Sequence, residues 1–343
     1  MNNKSKIRIS YVDIVKFIGI FLLLIEHSGN WTTLDGSYNN LKIWICSFHM
    51  PLFFIVSGLV ISDKPVKTVK EFANILDKRI KNLIIPYIIW CLIYQNGLNP
   101  GFYFGVLYGT NTSLGMAQTN QVLWFLPAMF VSMIMFQLVV NINGTIRIKK
   151  YIRVIMFIEA IVLSAISIFL KLYRGNLGMP WGIDIAFMGC SFIILGFLLK
   201  EYIDRLFCKK CFAFVVAGMC LCVGYYIAIH NQPDEMWVSI MALGMYGHNW
   251  ILYIVGAICN TVVMIIISYA LGTINFFAWL GRNSMTIMVV HYILFPYTVN
   301  WAVKLLNGYD ILIAICNAVF TVILCIPIII LIEHYAPILK GKK

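Results

Sequence analysis

In the stretch KFIGIFLLLIEH, Lys16 and His27 bracket ten residues that are almost all apolar. Imidazole titrates near neutrality, so it can take a proton from a hydroxyl or carry an acyl group itself. A lysine amine is a fixed cation for an anion. Eleven steps of 100° end about 20° from three full turns, and the rise separates the two residues by ~16.5 Å along a helix axis. One helix face would therefore present a cation at one level and a titratable ring at the other, suited to an elongated anion whose reactive end reaches the ring. The alternative is that Lys16 snorkels toward water or pairs with Asp13, three residues earlier, while His27 sits in the membrane interface. Glu26 is adjacent in sequence but 100° away on the helix, so it is not expected to orient the ring. A second histidine, His49, lies in SFHMPLFFIVSGL at a depth His27 could share. It is the expected neighbour of His27, as a hydrogen-bonded group rather than a metal ligand, and no metal is expected. His291 falls in the middle of an apolar run and reads as structural.

The elements that must hold these residues follow from composition. The chain has 343 residues, 61% hydrophobic and 12% charged, with a mean hydropathy of +0.86. Soluble domains carry about twice that share of charge. An all-α integral membrane protein is expected, a bundle of about ten transmembrane helices forming a single domain over 1–343. The candidate spans are 11–29, 42–62, 83–105, 121–141, 151–171, 182–200, 211–230, 250–271, 284–304 and 310–333. The third is turn-rich at its end, in GLNPGFYFG, where a re-entrant or interfacial piece is the alternative to a continued span. The uncharged, aromatic segment 96–120 reads as an interfacial lid, a sugar-binding surface or an ordinary membrane-surface loop. The N-terminal MNNKSKIR leads into an apolar run without a small-residue cleavage site, so no removable signal peptide is expected.

The net charge of +12 invites a nucleic-acid reading, which the distribution of the charge removes. Nearly all Lys and Arg fall in alternating loops on one side: Lys4, Lys6 and Arg8, the 64–81 segment, Arg147 to Arg153, Lys200 to Lys210, Arg282 and the tail. Lys42, Lys171, Arg174 and Lys304 fall on the other side. By the positive-inside rule both termini are cytoplasmic. Most of the ten cysteines lie in apolar segments and behave as small hydrophobes. Cys208 and Cys211 make one C-x-x-C, a weak zinc signal without a second pair.

The run YVDIVKFIGIFLLLIEHSG followed by FHMPLFFIVSG resembles the start of acyltransferase family 3, a family of multi-pass membrane proteins, and is most similar to its fucose 4-O-acetylase-like branch. The family pattern is a basic residue, ten residues, then histidine; here Lys16 stands where many members have arginine. KRIKNLIIPYIIW, LWFLPAMF, MPWGIDIAFMGCSFIILGF and LGRNSMTIMVVH resemble later blocks, so the likeness runs along nearly the whole chain.

The resemblance implies transfer of an acyl group, usually acetyl, from cytoplasmic acyl-CoA to a hydroxyl of a cell-surface polysaccharide or lipid-linked glycan, by an enzyme of the plasma membrane. It makes His27 the essential histidine, as general base or acyl carrier, and assigns Lys16 to the acyl donor. Arg79 and Lys81 are candidate phosphate contacts or simply topology-setting charge. Arg282, Asn283 and Ser284 open a span, as an anion site or a plain helix cap. Trp124, Trp181 and Asp184 begin spans on the opposite side and are candidate acceptor contacts, although tryptophan there also serves as an interfacial belt. The expected partners are acetyl-CoA as donor substrate, a glycan and the lipid bilayer. Two rivals remain: a polysaccharide exporter or flippase of the same topology, and a structural or sensory subunit. The sequence leaves the oligomeric state open.

Overall fold

The computed structural model describes residues 10–28, 36–95, 100–145, 151–207, 209–234, 236–272, 274–306 and 310–341. Lys4, Lys6, Arg8, Arg147, Lys149, Lys150, Cys208 and the last two lysines lie outside the described residues, as do residues 96–99 of the aromatic segment. Among the described residues the protein is all-helical, 83% helix. Eight helices among them are long and apolar enough to cross a membrane: Asn39–Val60, Gln121–Gly144, Ile152–Lys171, Pro180–Phe207, Cys211–His230, Trp250–Ala270, Ser284–Leu305 and Asp310–Tyr335. It is therefore a multi-pass membrane protein, and these eight match eight of the ten expected spans.

The other two expected spans carry more charge. The first is α1 (Ser10–His27), one continuous helix that keeps Asp13, Lys16 and Glu26 among its apolar residues. The third departs from its expected bounds. Helix α4 (Val69–Arg79) runs through a π turn at Ile80–Ile84 into α5 (Ile85–Ile93) and ends at Tyr94. The cause is Pro86, which has no N–H and whose ring crowds the carbonyl four residues back; the helix widens there to an i→i+5 bond from Ile85 N–H to Ile80 O. A separate short helix, α6 (Pro100–Tyr108), and then α7 (Asn111–Met116) follow. The second expected span is α2 (Gly36–Cys46) and α3 (His49–Val60), broken at Ser47 and Phe48.

The remaining helices are α8 (Phe125–Gly144), α9 (Ile152–Lys171), α10 (Ile183–Phe207), α11 (Lys210–His230), α12 (Trp250–Ala270), α13 (Asn275–Arg282), α14 (Ser284–Leu305) and α15 (Asp310–Tyr335). The core is built on α3 and α10, with α8, α9, α1 and α12 around them. Burial marks the two extremes: the span holding α10 is 78% buried, whereas that of α11 is 17% buried and turns its apolar side chains outward. Gly58 of α3 and Gly196 of α10 are the reason the central pair packs so closely. A Cβ at Gly58 would overlap Ile193 O, and one at Gly196 would overlap Ile55 O. Small residues let helix backbones touch where lipid gives no hydrophobic drive for association.

A buried ion pair braces one end of the bundle. Arg174 Nη1 lies 3.1 Å from Asp184 Oδ2, with both side chains nearly inaccessible. Asp184 also accepts from Met179 N–H at 3.3 Å. Beside it, Trp181 is held at φ 57°, and its indole N–H donates to Leu107 O at 2.8 Å, which ties the start of α10 to α6.

Candidate functional site

Helix α1 places its chemistry as the phase argument requires. Lys16 and Ile20 line one cavity of about 210 Å³, and Leu23 and His27 line a second of about 120 Å³. The four recur at four, three and four residues, one stripe along the helix. A matching stripe runs along α14: Ser284, Met285 and Met288 face the first cavity, and Met288 and Tyr292 face the second. The stripe thus borders two cavities, and among the described residues Met288 is the one side chain common to both linings.

In the cation cavity, Lys16 is joined by Arg282 and Ser284, with Phe53, Ser57, Leu83 and Phe125 among the walls. Arg282 is brought here by the contact of α13 with α1, where a Cβ at Gly281 would overlap Asp13 O. Asp13, expected to pair with Lys16, has its Oδ2 3.8 Å from Arg282 Nη1. Asn283 is buried and committed to structure: its amide donates to Trp279 O at 3.0 Å, and its Oδ1 accepts from Lys340 Nζ at 2.9 Å. Arg79 and Lys81 stand on the helix that leads to Leu83. Lys81 is paired with Asp77 at 2.6 Å, and neither Arg79 nor Lys81 lines the cavity.

The histidine cavity differs from expectation in its neighbours. His27 Nε2 lies 3.0 Å from Glu26 Oε2, so Glu26 does meet the ring. The 100° offset separates the Cβ directions of adjacent residues, but a glutamate is long enough to swing its carboxylate across to the neighbouring ring. Ser28 closes the end of α1, donating to Leu24 O and accepting from Asn317 Nδ2 at 2.7 Å. On the other side, His27 Nδ1 lies 3.1 Å from His291 Nε2, with ring centroids 5.2 Å apart. His291, read from sequence as structural, therefore contacts the His27 ring. It is fully buried and turned by a bond from its Nδ1 to Met288 O.

His49 lines the same cavity, with its Nδ1 bonded to Ile45 O at 3.0 Å. Lys42, counted as an outer loop charge, is fully buried and is an electrostatic neighbour of Glu26. It supplies the positive charge that an ionised carboxylate needs away from water. Of the expected acceptor contacts, Trp124 lines the histidine cavity, whereas Trp181 and Asp184 lie outside both linings. Glu26, Lys42 and His291 are the residues that sequence reasoning undervalued. The signal was available, since ionisable groups at membrane depth are expensive and usually face a cavity or each other. Among the described residues, no three His, Cys, Asp or Glu side chains are grouped as metal ligands.

A half-buried His27 beside the buried Glu26 carboxylate lines one cavity, and Lys16 and Arg282 line the next. Residues 9–334 match the acyltransferase domain that defines acyltransferase family 3, and the chain belongs to that family. It is also similar to two proteins called nodulation protein NolL. It is 27% identical to that of Mesorhizobium japonicum over 139 residues, which is 38% of this chain and 36% of the relative. To that of Sinorhizobium fredii it is 25% identical over 204 residues, 56% of this chain and 49% of the relative. The matched stretches thus span between about a third and a half of these relatives.

Proposed function

We propose that this protein is a membrane O-acyltransferase that moves an acetyl group from cytoplasmic acetyl-CoA to a hydroxyl of a cell-surface polysaccharide or lipid-linked glycan. In this reading the chain acts as a single domain in the plasma membrane with both termini cytoplasmic. One observation carries the reading: Lys16 and His27, on one stripe of α1, line two successive cavities. The polyanionic end of CoA stays at the cation level with Lys16 and Arg282, and its thin pantetheine arm extends toward His27. Arg79 and Lys81 extend the positive field at the mouth, and Ser284 adds a hydroxyl to the wall.

The chemistry follows from the pairing of His27. Glu26 holds the ring through Nε2, and Nδ1 acts as base once a proton is lost and its contact with His291 opens. As the acceptor oxygen attacks the thioester carbonyl carbon, its proton passes to His27. The C–S bond then breaks, the acyl–oxygen bond remains, and the CoA thiolate leaves and takes up a proton. His49 borders the same space as a further polar neighbour, and Trp124 forms part of the wall against which the acceptor would rest.

The test is direct. Purified protein in lipid nanodiscs is given acetyl-CoA labelled in the acetyl group, and thioester turnover is measured for wild type and for His27→Ala. Turnover by wild type that is lost in the variant supports the reading. Absence of both acetyl-CoA binding and turnover in wild type points instead to an exporter of the same topology.

A further inference from the structure

A third cavity adjoins the histidine site. It is an open cleft of about 420 Å³ lined by Tyr94, Gln118, Thr119, Asn120, Gln121 and Tyr292. Gln121 and Tyr292 also line the histidine cavity, so the two spaces meet. We propose that this cleft binds a neutral sugar ring, the one whose hydroxyl is presented to His27; this role rests on the acyl-transfer reading.

Three features of the cleft carry the assignment. The first is its chemistry. Among the described residues the lining holds amides, hydroxyls and two aromatic rings, and no charged side chain. Amides and hydroxyls offer donors and acceptors together, which is what a polyol needs, whereas an anion needs cations. Tyrosine rings supply apolar faces for the C–H side of a sugar.

The second is construction. Two side chains of the lining are spent on holding the wall. Tyr94 Oη donates to Val289 O. Asn120 Nδ2 donates to the same carbonyl at 3.3 Å, while Asn120 Oδ1 accepts from Val122 N–H at 3.1 Å. Segment 118–121 is thereby fastened to α14, and the exposed amides of Gln118 and Gln121 project from a fixed frame. Gln118 is held at φ 52°, a left-handed conformation that strains a side-chain-bearing residue and collects at ligand sites.

The third is position. The Tyr292 ring centroid lies 5.6 Å from that of His27 and 4.6 Å from that of His291. A ring seated against Tyr292 has its edge at the catalytic histidine.

Saturation-transfer NMR tests this without any acyl donor. Wild-type protein in nanodiscs is mixed with neutral methyl glycosides, with glucuronate and with inorganic phosphate. Two further arms compare a soluble neutral disaccharide with the same disaccharide on a prenyl diphosphate, which distinguishes a polymer acceptor from a lipid-linked one. The neutral sugars are expected to take up saturation and the two anions are not. Gln121→Ala and Gln118→Gly, the latter keeping the left-handed turn while deleting the amide, should each weaken sugar binding about five-fold, the worth of one lost hydrogen bond. Thermal melting checks that both variants fold. Preference for the anions, no sugar binding, or unchanged binding in both folded variants overturns the proposal. Failure of the acyl-transfer reading looks different: sugar binds as expected, but acetyl-CoA is never turned over.

Discussion

The Nδ1 of His27 lies 3.1 Å from Nε2 of His291, although 264 residues separate them in the chain. With His291 neutral, the partners of the two rings set the proton count. His291 Nδ1 faces Met288 O; a carbonyl only accepts, so that nitrogen carries the proton and Nε2 is the acceptor. His27 Nδ1 must then donate. Its Nε2 meets Glu26, which leaves an imidazolium facing a carboxylate, or a neutral ring facing a protonated acid. Both arrangements give the three side chains zero net charge. Loss of one proton leaves Glu26 accepting from His27 Nε2–H and frees Nδ1 as a base. Two acceptor nitrogens then face each other, so the His27–His291 contact opens and a substrate hydroxyl can enter.

Glu26→Gln removes the charge while keeping an oxygen that can accept from Nε2. Thioester turnover should fall about 100-fold, the usual share of a positioned acid–base group, with acetyl-CoA affinity little changed. Labelled acetyl-CoA turnover and binding, measured side by side, decide this; full activity in Glu26→Gln would remove the carboxylate from the mechanism.

Lys16→Ala and Arg282→Ala act at the other cavity. Each should weaken acetyl-CoA binding by roughly 10-fold, the worth of a charge-assisted contact. Calorimetric titration of the folded variants reads the change. Unaltered affinity in both would place the donor elsewhere.

Met288 lies between the two cavities and must move for a thioester to pass. Its unbranched side chain adapts readily. Met288→Trp is expected to bind acetyl-CoA and fail to turn it over, whereas Met288→Ala keeps turnover and leaks acetyl to water. Full transfer by a folded Met288→Trp protein would show that the donor takes another route.

Arg174→Ala leaves Asp184 buried without its partner. Loss of one member of a buried pair costs about 3–5 kcal/mol, so thermal melting in detergent should drop sharply. A folded variant of unchanged stability would return Asp184 to the acceptor.

Much of this was written into the chain in readable form. The shared face of Lys16 and His27 needs only helical periodicity, and eight spans follow from hydropathy. Glu26 was misread because the 100° rule places Cβ atoms and not the far ends of long side chains, which can still meet. His291 and Lys42 were misjudged for another reason. Their importance depends on which helices become neighbours, and a single apolar run carries no record of that. The third span was overextended because Pro86 and the end at Tyr94 act through backbone geometry, which hydropathy does not sense.

The glycine contacts between α3 and α10 bear on the rival reading as an exporter. At Gly58 and Gly196 the two backbones touch, leaving no cushion of side chains to slide or roll over. Replacing Gly196 with Ala should therefore cost about 1–3 kcal/mol or more by overpacking, read as a lower melting temperature. A carrier works by rocking its halves past a central load, and such a seam resists rocking. It favours a stationary anvil, where two reactants arrive from opposite faces and only the small acyl group changes sides.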